Sequence, residues 1–100
     1  MVRQRIREKI REYIRSGKYE MTYHASDEMA EDKLRIVDIE TSILMGKITK
    51  IEKDHPRGSR YTIEGIATDH RTRVGTVGRF TATGKYRIIT TDEIEPQEEQ

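Results

Sequence analysis

The segment Ile36–Ile51, IVDIETSILMGKITKI, decides the fold class because its hydrophobic spacing changes at Gly46. Before the glycine, Ile36, Ile39 and Ile43 recur at intervals of three and four residues, which is typical of the buried face of an α-helix. From the glycine onward the chain carries strand and turn signals, with alternating apolar and polar residues. The segment therefore predicts helices in the N-terminal half of the chain and strands in the C-terminal half.

Two more helices are predicted before this segment. An apolar residue at every fourth position, with arginines on the opposite face, predicts an amphipathic helix over residues 2–16 that Gly17 would end. A second helix is expected over residues 22–33, with Thr22 as its N-cap, and the third over residues 36–45. The arginine face of the first helix is available to solvent, to nucleic acid or to an acidic partner.

Four strands are predicted after Gly46, over residues 47–53, 60–68, 73–81 and 85–91. In the last of them, Tyr86, Ile88 and Thr90 are expected to share one face. The connections between these strands are short, which favours an antiparallel meander. The predicted fold is α+β, with the N-terminal helices packed on one face of a four-stranded antiparallel sheet and the other face free for a ligand.

The chain length of 100 residues predicts a single domain over residues 1–94, in which residues 1–17 are a helical extension. The acidic residues 95–100 are expected to be a disordered tail. Because 33% of the residues are hydrophobic and 37% are charged, the core should be thin. We therefore expect either marginal stability or support from a partner, a second copy of the chain included.

Several classes of protein are disfavoured by the composition. Without cysteine there is no disulfide framework, no thiolate nucleophile and no cysteine-based zinc site. No apolar run approaches about 18 residues and no signal-peptide pattern opens the chain, so we expect a cytoplasmic protein with no membrane contact. No P-loop or dinucleotide-binding fingerprint occurs, and we expect no cofactor.

The net charge of +1 conceals a strong segregation of charge along the chain. The net charges are +4 over residues 1–20, −3 over residues 21–54, +5 over residues 55–90 and −5 over residues 91–100. Basic blocks of this kind are typical of surfaces that bind nucleic acid, and the alternative is an ordinary solvated surface.

Candidate acid–base chemistry lies in residues 23–32, YHASDEMAED. In a helix, His24, Glu28 and Asp32 are four residues apart on one face. Histidine is the side chain that titrates nearest neutral pH, and Glu28 would orient it. The alternative is that His24 only caps or packs the start of the helix.

A metal site built from the same three side chains is not predicted. Residues eight positions apart in a helix are separated by about 12 Å, whereas metal ligands lie at about 2 Å. Two of the three would need a further ligand from His55 or His70. We therefore expect no bound metal.

The best candidates for phosphate ligands are arginines of the C-terminal half, because a guanidinium contacts two phosphate oxygens at once. They are Arg57, Arg71 and Arg73, with Arg60 and Arg87 behind them. Tyr61 and Tyr86 are candidates for stacking on bases or donating a hydrogen bond. The alternatives are an ordinary exposed turn at residues 57–59 and tyrosines that pack against the sheet.

The order of these landmarks resembles a family of small bacterial and archaeal domains of unknown function that is grouped with the BrnT, MqsR and RelE-like toxins of type II toxin–antitoxin systems. The resemblance covers about residues 20–91. Its carriers are His24, Ala25, Glu28, Met29, Asp32, Asp38, Ile39, Gly46, Pro56, Arg57, Gly58, Ser59, Gly65, Asp69, Arg71, Ile88, Ile89 and Thr90. This chain has Val74 where the family often has a histidine, and Arg35 where it often has Ser or Thr.

The resemblance implies a RelE-like fold, ribonuclease activity and a cognate antitoxin protein as partner. The first hypothesis is therefore a toxin that cleaves RNA without metal, alone or on the ribosome. His24 would be the general acid or base with Glu28 orienting it, and Arg57 and Arg71 would contact the scissile phosphate. The alternatives are a non-catalytic module of the same fold that binds nucleic acid or protein, and a purely structural interaction module.

Overall fold

A computed structural model describes residues 2–53 and 56–95 of the chain. The helices are α1 (Val2–Arg15), α2 (Tyr23–Glu31) and α3 (Ile36–Met45). The strands are β1 (Tyr19–Met21), β2 (Lys47–Glu52), β3 (Arg60–Ile66), β4 (Arg73–Phe80) and β5 (Tyr86–Ile94). The α+β class and the three predicted helices are confirmed. The last residues of the predicted tail, 96–100, lie outside the described residues.

The sheet has five strands in the order β1-β5-β4-β3-β2, and not the four antiparallel strands that the sequence predicted. The additional strand, β1, pairs in parallel with β5, where Tyr19 lies opposite Tyr86 and Met21 opposite Ile88. All other neighbouring strands are antiparallel. A strand of three residues is too short to display alternation, and its partner is the last strand of the chain, so local patterning does not reveal it.

A β-bulge in β5 changes which residues face the core. Val77 of β4 lies opposite Thr90, and the next residue, Gly78, lies opposite Ile88, so Ile89 has no partner in β4. One extra residue reverses the alternation along the strand. As a result Thr91 is fully buried, and the prediction that Thr90 shares a face with Ile88 was wrong.

The three helices supply the core on one face of the sheet. Ile10 of α1, Ala25 of α2 and Ile39 of α3 are all 0% exposed. Phe80 of β4 contacts the ring of Tyr13 of α1, with the ring centroids 5.1 Å apart. The helix that the sequence suggested as an extension therefore contributes directly to the core.

Two helix starts are fixed by side-chain caps. Thr22 is the N-cap of α2, as predicted, and its hydroxyl accepts a hydrogen bond from the Ala25 amide. At the start of α3, the Asp38 carboxylate accepts hydrogen bonds from the amides of Arg35 and Thr68. Because Thr68 follows β3, this carboxylate joins α3 to the sheet.

The end of α3 lies so close to β3 that only glycine fits there. A Cβ atom on Gly65 would lie 1.9 Å from the carbonyl oxygen of Ser42, and one on Gly46 would lie 2.4 Å from the same oxygen. Within the described ranges, no helix is long and apolar enough to span a membrane.

Candidate nucleic-acid interface

Five charged residues form a row across the sheet, on the face opposite the helices. We call them the charged row: Glu20 of β1, Arg87 of β5, Arg79 of β4, Arg60 of β3 and Glu52 of β2. Each is next in sequence to a residue that packs on the helical side, so strand alternation places the row on the other face, the outer face. Adjacent strands are about 4.8 Å apart, so Arg79 lies well within the screening length of about 10 Å from both Arg60 and Arg87.

The pairing register confirms that the row is continuous. Glu20 lies opposite Arg87, Arg87 opposite Arg79, and Glu52 opposite Arg60. Arg60 and Arg79 follow from the neighbouring pair of Tyr61 and Gly78 in the antiparallel β3–β4 ladder. Three arginines thus occupy the middle of the row, and one glutamate closes it at each edge.

The two flanking arginines are paired with the glutamates at the edges. Arg87 Nε donates to Glu20 Oε2 at 2.5 Å, and Arg60 Nη2 donates to Glu52 Oε2 at 3.2 Å. Lys85 Nζ is a second cation near Glu20, at 3.9 Å from Oε1. The hydrogen bond from Arg87 lowers the pKa of Glu20, which keeps this carboxylate ionised.

Arg79, at the centre of the row, is a largely buried residue, and Glu20 is the nearby carboxylate that acts on its charge. Arg79 is 8% exposed. In the part of the chain that the structure describes, its guanidinium makes no hydrogen bond and no ion pair. Burial lowers the pKa of Arg79, the nearby Arg87, Arg57 and Arg60 lower it further, and the Glu20 carboxylate raises it. Since arginine stays protonated in proteins, the centre of the outer face is a confined positive charge.

Arg79 is not among the phosphate ligands that the sequence predicts. The available signal was strand alternation in β4. Arg79 lies between Gly78 and Phe80, which both face the helices, so the Arg79 side chain lies on the outer face. What the sequence does not show is the lateral order of the strands. That order places Arg79 between two other arginines and away from the edge glutamates.

The predicted phosphate ligands separate into two groups. The first group is near Arg79 and lowers its pKa; it consists of Arg57, Arg60 and Arg87. Arg73 is six residues away from Arg79 along β4, which is about 20 Å, and it pairs with Glu64 at 3.2 Å. The structure therefore brings three of the five predicted arginines together and places Arg73 elsewhere.

Arg71 belongs to the second group, in the turn between β3 and β4. This turn is organised by Asp69, whose Oδ1 accepts hydrogen bonds from the amides of Arg71 and Thr72, each at 2.8 Å. The hydrogen bond from the Thr72 hydroxyl, with these amides, lowers the pKa of Asp69 to about 2. Arg57 and Arg71 thus lie in different groups, although the sequence hypothesis placed them on one phosphate.

Tyr61 and Tyr86 lie on the helical side of the sheet. Tyr61 is 9% exposed and Tyr86 is 0% exposed, so neither ring presents a face to a base. The ring of Phe80 packs edge-on against both of them. Burial raises the pKa of Tyr86. The two tyrosines therefore pack in the core on the helical side, which was the alternative to stacking on bases.

His24 and Glu28 form the one-turn pair that the sequence predicted. His24 Nε2 is 3.4 Å from Glu28 Oε1, and the His24 side chain is 67% exposed. The same oxygen of Glu28 accepts a hydrogen bond from the Thr91 amide at 3.1 Å. One turn later, Asp32 Oδ2 accepts a hydrogen bond from the Glu93 amide at 2.9 Å.

These two carboxylates accept hydrogen bonds at an edge of β5 where β1 does not extend. Because β1 ends at Met21, the amides of Thr91 and Glu93 lie beyond the part of β5 that β1 pairs with. Glu28 and Asp32 accept their hydrogen bonds instead. The spacing of four residues in α2 thus matches every second residue of the strand edge. Across residues 2–53 and 56–95, no three His, Asp or Glu side chains form a group that could hold a metal ion. His55 lies outside these ranges.

Comparison with protein families identifies the family of this chain. The model of the domain of unknown function DUF4258 matches residues 21–92, and the chain belongs to this family. No curated protein and no solved structure matches the chain significantly. The charged row lies partly outside the matched residues, because Glu20 precedes them, whereas all three of its arginines lie within them.

Proposed function

We propose that this member of the DUF4258 family is an RNA-binding domain, and that the charged row holds the phosphate backbone. The observation that carries the proposal is the position of Arg79: its side chain is largely buried between Arg60 and Arg87, and its guanidinium forms no ion pair with a described residue. A partly desolvated charge that lies beside like charges and forms no ion pair is costly. An anion on the outer face would neutralise it, and a polyanion would contact the neighbouring arginines as well.

The aromatic residues support binding through the backbone of the nucleic acid rather than through its bases. The chain has six aromatic residues. Five of them lie in the core or pack against it, and the sixth, Tyr23, lies on α2. None is left to stack on bases at the outer face. We therefore expect strongly salt-dependent affinity with little preference for base sequence.

The test is binding of a labelled single-stranded RNA, measured by fluorescence anisotropy over a series of salt concentrations. Arg79→Gln should weaken binding by about 10- to 100-fold, because a charged hydrogen bond to phosphate is worth about 1.5–3 kcal/mol. The slope of log affinity against log salt should fall by about 0.7 for the lost contact.

Arg5→Gln is the matched control, since Arg5 is exposed on α1 and lies far from the charged row in sequence and on the opposite side of the sheet. It should leave both affinity and slope close to those of the wild type. An equal loss in Arg5→Gln and Arg79→Gln would contradict a site at the charged row. Absence of RNA binding by the wild type at low salt would contradict the function itself.

A second proposed function adds metal-independent cleavage of the bound RNA, as in a toxin of a type II toxin–antitoxin system. The observation that favours it is the exposed His24 with Glu28 at 3.4 Å. His24 would be the general acid or base and Glu28 would orient it, while the charged row, on the other face of the sheet, would hold a neighbouring part of the same RNA. In this function the domain acts in the cytoplasm, on free RNA or on the ribosome, and an antitoxin protein neutralises it.

Cleavage and binding are separable by two variants. His24→Ala should reduce cleavage by about 10²–10⁴-fold while RNA affinity is unchanged. Arg79→Gln should reduce both. The assay uses purified protein and RNA, with and without ribosomes, and with EDTA present throughout. Equal cleavage by wild type and His24→Ala would remove His24 from the mechanism. Binding without cleavage under every condition would leave the RNA-binding function alone.

A further inference from the structure

A groove lies between the end of α3 and strand β3, on the opposite side of the molecule from α2. We call it the α3 groove; its volume is about 520 Å³. Met45, Ile66 and Ala67 supply its apolar surface. Met45 is 74% exposed and Ile66 is 43% exposed, so two large apolar side chains lie together at the surface of this groove. This exposed apolar surface suggests a docking site.

The edge of the α3 groove is basic. Arg7, Lys47, Arg73 and His70 line it, and the single acidic residue among the lining side chains is Glu64. Glu64 is already paired with Arg73 at 3.2 Å. A segment that fits this groove should therefore combine an apolar side chain with carboxylates.

Helix α2 presents such a segment on its exposed face. Tyr23 is 92% exposed, the most exposed of the large hydrophobic side chains in the described part of the chain. Asp27 follows it one turn later on the same face, and Glu31 comes one turn after that; both are exposed. The helix contains no lysine or arginine. The exposed face of α2 thus carries an aromatic side chain followed by carboxylates.

We infer that the α3 groove of one copy of the chain receives the α2 face of a second copy. Tyr23 would lie against Met45 and Ile66, and Asp27 and Glu31 would approach the basic edge of the groove. This contact is independent of RNA binding at the charged row.

The position of the two surfaces determines the kind of assembly. Helix α2 packs against β5, near one edge of the sheet, and the groove is formed by α3, β2 and β3 near the other. One copy therefore cannot fill its own groove with its own α2. A head-to-tail contact leaves one groove and one α2 face open at the ends, so copies can add further. One helix face buries less than a standard interface of about 1,600 Å², so association should be weak and reduced by salt.

The acidic C-terminus of the same chain is the competing occupant. Residues 96–100, PQEEQ, supply carboxylates but no large apolar side chain, so they match the edge of the groove and not its apolar surface. A partner protein with an acidic amphipathic segment is a further competitor. The charge and the anchor residue of α2 favour the second copy.

The experiment is sedimentation equilibrium of nuclease-treated protein, from micromolar to millimolar concentration at low salt. The average mass of the wild type should rise with concentration. Two double variants should each remain monomeric: Tyr23→Ser with Asp27→Lys, which alters the α2 face, and Met45→Glu with Lys47→Glu, which alters the groove. All four side chains are exposed, so both variants should fold, and circular dichroism checks this.

Mixing the two double variants is the decisive measurement. The first keeps its groove and the second keeps its α2 face, so the mixture should form a dimer of one copy of each and nothing larger. Asp92→Lys and Lys50→Glu are the matched controls, because they reverse exposed charges outside the two surfaces and should associate like the wild type. Arg79→Gln should also associate normally, which separates this inference from the RNA-binding function.

Three results would overturn the inference. The first is a wild type that stays monomeric at millimolar concentration. The second is association that the two double variants do not reduce, or that the controls reduce equally. The third is a monomeric wild type that associates only after removal of residues 96–100, which would assign the groove to the acidic C-terminus of the same chain.

Discussion

The two faces of the sheet are built from alternate residues of the same strands but have opposite physical character. In β5, Tyr86 and Ile88 are fully buried under the helices, while Arg87 between them belongs to the charged row. In β4, Val74 is fully buried against the helices, and Arg79 on the outer face is largely buried beside other arginines that lower its pKa. The helical side of the sheet is stabilised by the exclusion of water from apolar side chains. The outer face holds positive charges close together, which costs free energy. Residues that stabilise the fold are thus one position away from those proposed to bind RNA.

The sharpest test of this difference compares two adjacent residues of β5. Ile88→Ala should lower the free energy of unfolding by about 2–5 kcal/mol, because it leaves a cavity in the core. Arg87→Ala, on the outer face, should change it by less than about 1 kcal/mol, since a partly exposed ion pair contributes little. Urea denaturation followed by circular dichroism measures both changes.

RNA affinity should respond to the same two substitutions in the opposite order. Folded Ile88→Ala should bind like the wild type, and Arg87→Ala should bind more weakly with a smaller salt slope. If Ile88→Ala reduced affinity as much as Arg87→Ala under conditions where it is fully folded, the two faces would not be functionally separate.

A second prediction concerns Asp38, which joins the helical layer to the sheet. Its hydrogen bonds from Thr68 and Arg35 lower the pKa of this carboxyl group. The unfolded chain therefore takes up the proton at a higher pH than the folded chain does. The stabilisation is complete above the ordinary aspartate pKa of about 3.9, and it is lost as pH falls through the lowered folded-state pKa.

Asp38→Asn should lower the free energy of unfolding by about 1–3 kcal/mol at neutral pH, since the partly buried amides of Arg35 and Thr68 lose a charged acceptor. Its stability should also fall less steeply than that of the wild type below about pH 4. Thermal unfolding over a pH series measures both effects. RNA affinity at neutral pH should be unchanged, because Asp38 lies on the helical side. If stability fell equally steeply with decreasing pH in wild type and variant, another group would dominate the acid response, such as Asp69, whose pKa is lowered to about 2.

The sequence predicted the local elements well because their signals are local. The spacing of Ile36, Ile39 and Ile43 and the N-cap at Thr22 depend only on near neighbours, and the structure confirms both elements. Strand β1 and the bulge at Ile89 depend on pairing between distant segments. A single extra residue in β5 reversed the predicted side of Thr90, since alternation has a period of two.

The candidate site was predictable in composition but not in arrangement. Arginine-rich strands were evident, and Arg60 and Arg87 were selected. The lateral order of strands, which places Arg79 between them, is a property of the tertiary fold. Similarly, the spacing of Glu28 and Asp32 indicated one shared helix face. It did not show that this face lies along the edge of β5.

The smallest predicted effect concerns this edge, where His24 and Glu28 have different roles. Glu28→Ala should lower the free energy of unfolding by about 1 kcal/mol, because the amide of Thr91 loses its acceptor. Glu28→Gln is the matched control: it keeps an acceptor oxygen and should retain most of this stability. His24→Ala should change stability by less than about 0.5 kcal/mol, since its side chain is mostly exposed. Denaturant unfolding of the three variants, with RNA cleavage measured in parallel, separates the roles.

If Glu28 orients His24, Glu28→Gln should reduce cleavage without loss of stability. If Glu28 only completes the sheet edge, activity in Glu28→Gln should equal that of the wild type. A large destabilisation by His24→Ala would place His24 among the residues that hold α2 on β5, and its exposure would no longer indicate a catalytic role.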